Sequence, residues 1–249
     1  MANKYLTLKN APITEALIDI RVKLPDDFNV ESLRSIYNQT EYPHQKERRK
    51  WEGKIEFKKG GPPLPNGHSD IIEGFHYTSS NKKQIIIPRL NGFTFSRLHP
   101  YEKWDIFRKE AYRLWQKYTA IAKPELITRV ALRFINRIQL PSQQIKFDEY
   151  FNAPPIIPKG LPQGVSSFLN RLIIPVSDPE GVVAILTQAL EQTVSPKSSP
   201  VVILDIDVFK ETSKGFSEQE AWELIDELRH LKNDIFFKSI KEKTRELFI

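Results

Sequence analysis

The stretch LITRVALRFINRIQLP, residues 126–141, constrains the fold more than any other part of the chain. Apolar residues recur in it at every second position, the period at which the side chains of a β-strand alternate between two faces. Val130, Leu132, Phe134 and Ile138 share one face with Asn136, and Arg129, Arg133 and Arg137 share the other with Ala131 and Ile135. The first is a core face. The second carries a row of guanidinium groups that need acidic partners, an anionic ligand or water.

The segments before it supply matching elements. PITEALIDIRVKL, residues 12–24, reads as a first strand, with Ala16, Ile18, Ile20, Val22 and Leu24 on one face and Glu15, Asp19, Arg21 and Lys23 on the other. A helix is expected over 30–38, with Asn29 as its N-cap and Val30, Leu33, Ile36 and Tyr37 as its buried stripe. Strands follow in the second half of 44–61 and at 71–78, 84–90 and 93–98, with Asn91-Gly92 as a hairpin turn. PPLPNGHSD, residues 62–70, is Pro/Gly-rich and reads as a loop. Residues 101–122 form the clearest helix, because Trp104, Phe107, Ala111, Leu114, Trp115, Tyr118 and Ile121 recur at helical spacing. Lys123-Pro124 stops it, since proline disfavours helical geometry in the preceding residue.

After the central strand the order of elements repeats. A short helical piece is expected at 147–151, then strands at 165–176, 182–193 and 201–209. Ser217 with Glu220 forms a capping box for closing helices that bury Trp222, Ile225, Leu228, Leu231, Ile235 and Phe236, with a break near 232–234. The expected fold is therefore α+β. It has two pseudo-equivalent halves, 1–124 and 125–249, each running strand, helix, antiparallel strands, long helix, with helices on one face of the sheets.

Composition excludes several function classes. The chain has 249 residues and no cysteine, so disulfides, thiolate zinc sites and cysteine nucleophiles are ruled out. No apolar run approaches the roughly 20 residues that cross a bilayer. The opening MANKYLTLKN has no apolar core of a signal peptide, so a cytoplasmic protein is expected. The five histidines show no metal-ligand spacing, and no nucleotide-binding or nucleophile-elbow motif is present, so no catalytic residue and no cofactor are assigned.

Two constellations remain. In VVILDIDVF, Asp205 and Asp207 project from one strand face, opposite Val202, Leu204, Ile206 and Val208. Paired carboxylates can hold a divalent metal, which makes a metal-dependent phosphoesterase or nuclease the alternative function. The same two residues can instead answer Arg129, Arg133 and Arg137 across one charged sheet face that also carries Glu15 and Asp19. The ion-pair reading is preferred, because arginines and carboxylates are present together. The second constellation is the basic segment 44–61. Its Arg48, Arg49, Lys50 and Lys54, with Trp51, could track phosphates and stack a base, but Glu47, Glu52 and Glu56 interleave with them and favour the reading of a solvated strand edge defended by lysines. The formal charge of +6 favours acidic partners.

Several short stretches in a fixed order also carry a resemblance. They are Ala11-Pro12-Ile13-Thr14-Glu15-Ala16, Tyr101-Glu102-Lys103-Trp104, Leu114-Trp115-Gln116-Lys117-Tyr118, Arg133-Phe134-Ile135-Asn136-Arg137-Ile138, Leu204-Asp205-Ile206-Asp207 and Leu228-Arg229-His230. Together they resemble, nearly end to end, a sporadically distributed family of uncharacterised prokaryotic proteins of similar length. The resemblance implies one family unit in a prokaryotic cytosol and transfers no catalytic residue. The resulting expectation is a non-catalytic binding or regulatory module that acts through a protein partner or nucleic acid, with a defence or toxin–antitoxin-like system as its candidate setting.

Overall fold

The computed structural model describes residues 8–56, 64–141, 146–191 and 199–249, and over 51–56 and 64–69 it describes the backbone alone. Nine strands form one antiparallel sheet: β1 (Ile13–Lys23), β2 (His44–Glu56), β3 (Leu64–Thr78), β4 (Gln84–Arg89), β5 (Gly92–Leu98), β6 (Leu126–Gln139), β7 (Leu169–Val176), β8 (Val182–Leu190) and β9 (Val201–Phe216). Their spatial order is β2-β3-β4-β5-β1-β6-β9-β8-β7. The two strands with the strongest alternation, β1 and β6, thus lie side by side at the centre. Each pairs on its other side with the last strand of the meander that follows it, β1 with β5 and β6 with β9.

Among the described residues four α-helices accompany the sheet: α1 (Trp104–Ala122), α2 (Phe147–Tyr150), α3 (Glu218–Ser239) and α4 (Glu242–Arg245). The aromatic stripe of α1 packs on the core face of the sheet. Phe107 stacks on Phe95 with ring centroids 5.4 Å apart, and Trp115 meets Phe93 edge-on at 5.8 Å. The two long helices also touch each other. Trp104 Nε1 donates to Asp226 at 3.2 Å, Arg108 Nε donates to the same carboxylate, and the Tyr112 ring stands edge-on to Trp222. Residue numbers rise along α1 where they fall along α3, so the pair is antiparallel. Among the described residues no helix is long and apolar enough to cross a membrane.

Several expected boundaries shift, each for a local reason. The segment expected as a helix over 30–38 is a short 3-10 helix, Val30–Ser35, capped by Asn29, whose side chain accepts from Glu31 N. Residues 101–103 stay outside the helix, with the Tyr101 ring packed against Phe107 and Phe134. The expected loop at 62–70 is largely strand, since β3 begins at Leu64 and pairs with β2 as far as Glu56. Its pairing with β4 covers only 74–78, so Pro65 lies where β3 has β2 alone beside it and a missing donor is tolerated. The closing helix has no break. Its capping box is present, with Glu220 N donating to Ser217 Oγ and Ser217 N to Glu220, and α3 runs unbroken through 232–234.

Candidate functional site

The face of the sheet opposite the helices gathers the charges that the strand periods place there. Asp19 is its centre, a carboxylate only 7 % exposed. It accepts from Arg21 Nε at 2.9 Å, Arg89 Nη2 at 2.7 Å, Thr94 Oγ1 at 2.6 Å and Arg129 Nη1 at 3.1 Å. Burial pushes the Asp19 carboxyl up, but Arg89, Arg21 and the Thr94 hydroxyl outweigh it and hold the group below the usual carboxylate range.

Register explains how the remaining charges meet. Arg133 lies opposite Asp207 in the β6–β9 ladder, yet its guanidinium reaches diagonally to Asp205, with Nε at 2.8 Å and Nη2 at 2.5 Å. This is the diagonal neighbour that a long side chain can reach across a strand pair. Asp205 holds Arg133 above its ordinary range, and Glu15 on β1 adds to the negative field there. Arg129 faces Glu211 at 3.0 Å, lies 3.9 Å from Asp207 and covers the Phe209 ring at 4.3 Å. Arg137 pairs with Glu191 at 2.7 Å. Asp207 differs from the others, because burial raises its carboxyl above the usual range despite Arg129 and Arg133. The face is therefore a lattice of fork-shaped guanidinium groups, each directed at a carboxylate. Among the described residues no cluster of three or more His, Cys, Asp or Glu side chains is arranged to hold a metal ion.

Two arginines of the basic segment are paired with neighbouring carboxylates. Arg48 pairs with Glu73, and Arg49 donates to Glu47 at 2.9 Å and to Asp70 at 2.6 Å. Arg34 completes the cluster by donating to Glu47 at 2.8 Å. The side chains of Trp51 and Lys54 lie outside the described residues, and their backbone belongs to β2.

Three features were missed by the strand and helix periods. Arg89 and Thr94, the partners that bury Asp19, come from β4 and β5, and only their positions on the sheet identify them. Lys232 lies 8 % exposed on α3, four residues from both Leu228 and Phe236. That helical spacing was the available signal. The third is β7, an edge strand with β8 as its only neighbour in the sheet among the described residues. Leu169 and Ile173 are 72 % and 59 % exposed on one of its faces, and Leu172 and Ile174 are exposed on the other. The two long helices stop short of it, since α3 packs on β6 and β9. Comparison of the chain with family models and with curated proteins finds no match.

Proposed function

We propose that the protein is a non-catalytic binding module of the prokaryotic cytosol that engages a protein partner through β7, the partner adding a strand to the sheet. The apolar exposure of β7 carries this reading. Edge strands are usually blunted by charge, proline or a covering element, because their open row of N–H and C=O groups templates further pairing. In LNRLIIPV only Arg171 and Pro175 serve that purpose, while four large apolar side chains face outward. An added strand would satisfy the open backbone row and cover those side chains at once. The alternatives have less support. Arg133 clamps Asp205 in place of a metal ion, and Arg48 and Arg49 already have carboxylate partners where phosphates would have to bind. A setting in a defence or toxin–antitoxin-like system belongs to the same proposal. So does descent of the two halves from one duplicated unit. Superposition of residues 12–122 on 126–248 in element order tests the duplication.

The test of the function is a complex captured with the tagged chain from its own host. The Leu169→Lys, Ile173→Lys double variant changes exposed positions, so folding stability should stay within about 0.5 kcal/mol. Partner affinity should fall by at least about tenfold, equivalent to about 1.4 kcal/mol. The Arg48→Glu, Arg49→Glu variant should retain the partner. A complex that survives the β7 changes contradicts the proposal. One that dissolves on nuclease treatment and weakens with salt in proportion to the arginines lost assigns the binding to nucleic acid instead.

A further inference from the structure

A cavity of about 390 Å³ opens where the start of β1, the entry to α1 and the last turns of α3 converge on β6. The rings of Tyr101, Trp104, Phe134, Phe236 and Phe237 line it, and the buried carboxamide of Asn136 faces it from the core side of β6. Into this apolar space α3 delivers two cations. Lys232 is more than nine-tenths buried, and its ammonium lies 3.9 Å from the centre of the Phe134 ring. Arg229, one turn earlier, lies 5.1 Å from the Trp104 ring. Among the described residues neither cation has a carboxylate within ion-pairing distance.

The other charged groups around the cavity do not neutralise them. Glu102, Lys103 and Asp105 line it from the entry to α1, and all three are exposed, which places them at the rim. Glu102 is engaged by Arg97 at 2.6 Å. Nothing titratable faces Lys232 from β6, where Phe134 and Asn136 lie, and the Tyr101 hydroxyl is pushed up by burial and stays protonated.

A buried, unpaired ammonium is costly, and chains retain one where a ligand supplies the counter-charge. Cavities of this size that combine aromatic walls with a few convergent polar groups are the usual form of small-molecule sites. We propose that the cavity binds an organic anion with an apolar, preferably aromatic, body, its acidic group held between Lys232 and Arg229. The rings supply burial for the body of the ligand, and the two cations select for negative charge. This site is separate from β7, and either can fail without the other.

Protonation gives the site a pH signature. Burial, reinforced by the positive charge of Arg229, lowers the Lys232 ammonium to about 7 when the cavity holds no anion. A bound anion favours the charged amine and raises that value. Binding above about pH 7 therefore requires proton uptake, and affinity should fall as pH rises, by up to about tenfold per unit.

Anilinonaphthalene sulfonate, an aromatic anion whose fluorescence rises on transfer to an apolar site, is a suitable probe. The native protein should bind it at one site, more tightly at pH 6 than at pH 9. Lys232→Met keeps the apolar stem and removes the charge, so the probe should bind at least about tenfold more weakly at pH 6. Lys238→Met, at an exposed position of the same helix, should bind as the native protein does. Near-UV circular dichroism of each sample excludes the loosened states that also bind this dye. Equal affinity in the native protein and Lys232→Met overturns the proposal. Should Lys232→Met not fold, the pH titration of the native protein decides alone, and affinity independent of pH between 6 and 9 overturns it.

Discussion

Replacing Asp19 with alanine is expected to cost about 3–5 kcal/mol of folding stability, the usual loss when one member of a buried charge pair is removed. The magnitude follows from what is left behind. The Arg89 side chain is 6 % exposed, its Nη2 donates to Asp19, and its Nε already has no partner among the described residues. Without Asp19 a guanidinium remains in a low-dielectric site with no counter-charge. Burial lowers Arg89 even with Asp19 present. Chemical denaturation of Asp19→Ala, Arg89→Ala and the double variant checks the account, and the double variant should cost less than the sum of the singles. Additive losses would mean that the two side chains do not act as a pair. The pH dependence has a definite sign. The carboxyl of Asp19 is lower in the folded chain than in the unfolded one, so its contribution is complete above the ordinary carboxylate value of 3.8 and is lost as pH falls through the folded value. Native protein should therefore lose stability in acid more steeply than Asp19→Ala does.

The second large effect concerns Asp205. Its carboxylate takes both arms of Arg133, and Asp205→Ala should cost about 1–2 kcal/mol. The cost is smaller than at Asp19 because the Arg133 side chain is 39 % exposed and water replaces part of the lost interaction. Pairing with Arg133→Ala should again give a double loss below the sum. Asp207→Asn should behave oppositely. Burial raises its carboxyl, so the charged form is disfavoured in the fold at neutral pH, and that penalty is relieved as pH falls through the raised value. Removing the charge should leave stability near pH 7 unchanged or increased. Two carboxylates two residues apart on one strand thus have different expected signs, and equilibrium denaturation of the single variants distinguishes them.

The alternation of apolar and polar residues was enough to place β1, β6 and β9 as strands with charged residues on one face. A period-two pattern states face as well as type, and so Glu15, Asp19, Arg129, Arg133, Arg137, Asp205 and Asp207 were legible as a set. The order of strands across the sheet was not legible, because Arg89 and Thr94 come from strands whose position beside β1 depends on long-range pairing. The same limit applies to β7. LNRLIIPV reads as a strand, but no local pattern says that it ends the sheet or that the helix layer stops short of it. Segment 64–70 misled for the opposite reason, since Pro65 and Gly67 signal a turn while β2 offers a partner that overrides them. Lys232 was hidden inside a helical stripe that was otherwise apolar, where a lysine reads most simply as a break.

That the charged face is held by ion pairs rather than by a metal rests on Arg133 occupying Asp205. Thermal melts of the native protein with a chelator, with Mg²⁺ and with Mn²⁺ test it most directly. A ligand that binds only the folded state stabilises it by mass action, so metal at about a hundred times its dissociation constant would add about 2.7 kcal/mol. The account predicts melting temperatures that coincide in all three conditions, for the native protein and for Asp207→Ala alike. A metal-dependent rise in the native protein that disappears in Asp207→Ala would contradict it and assign Asp205 and Asp207 to a metal-dependent phosphoesterase or nuclease.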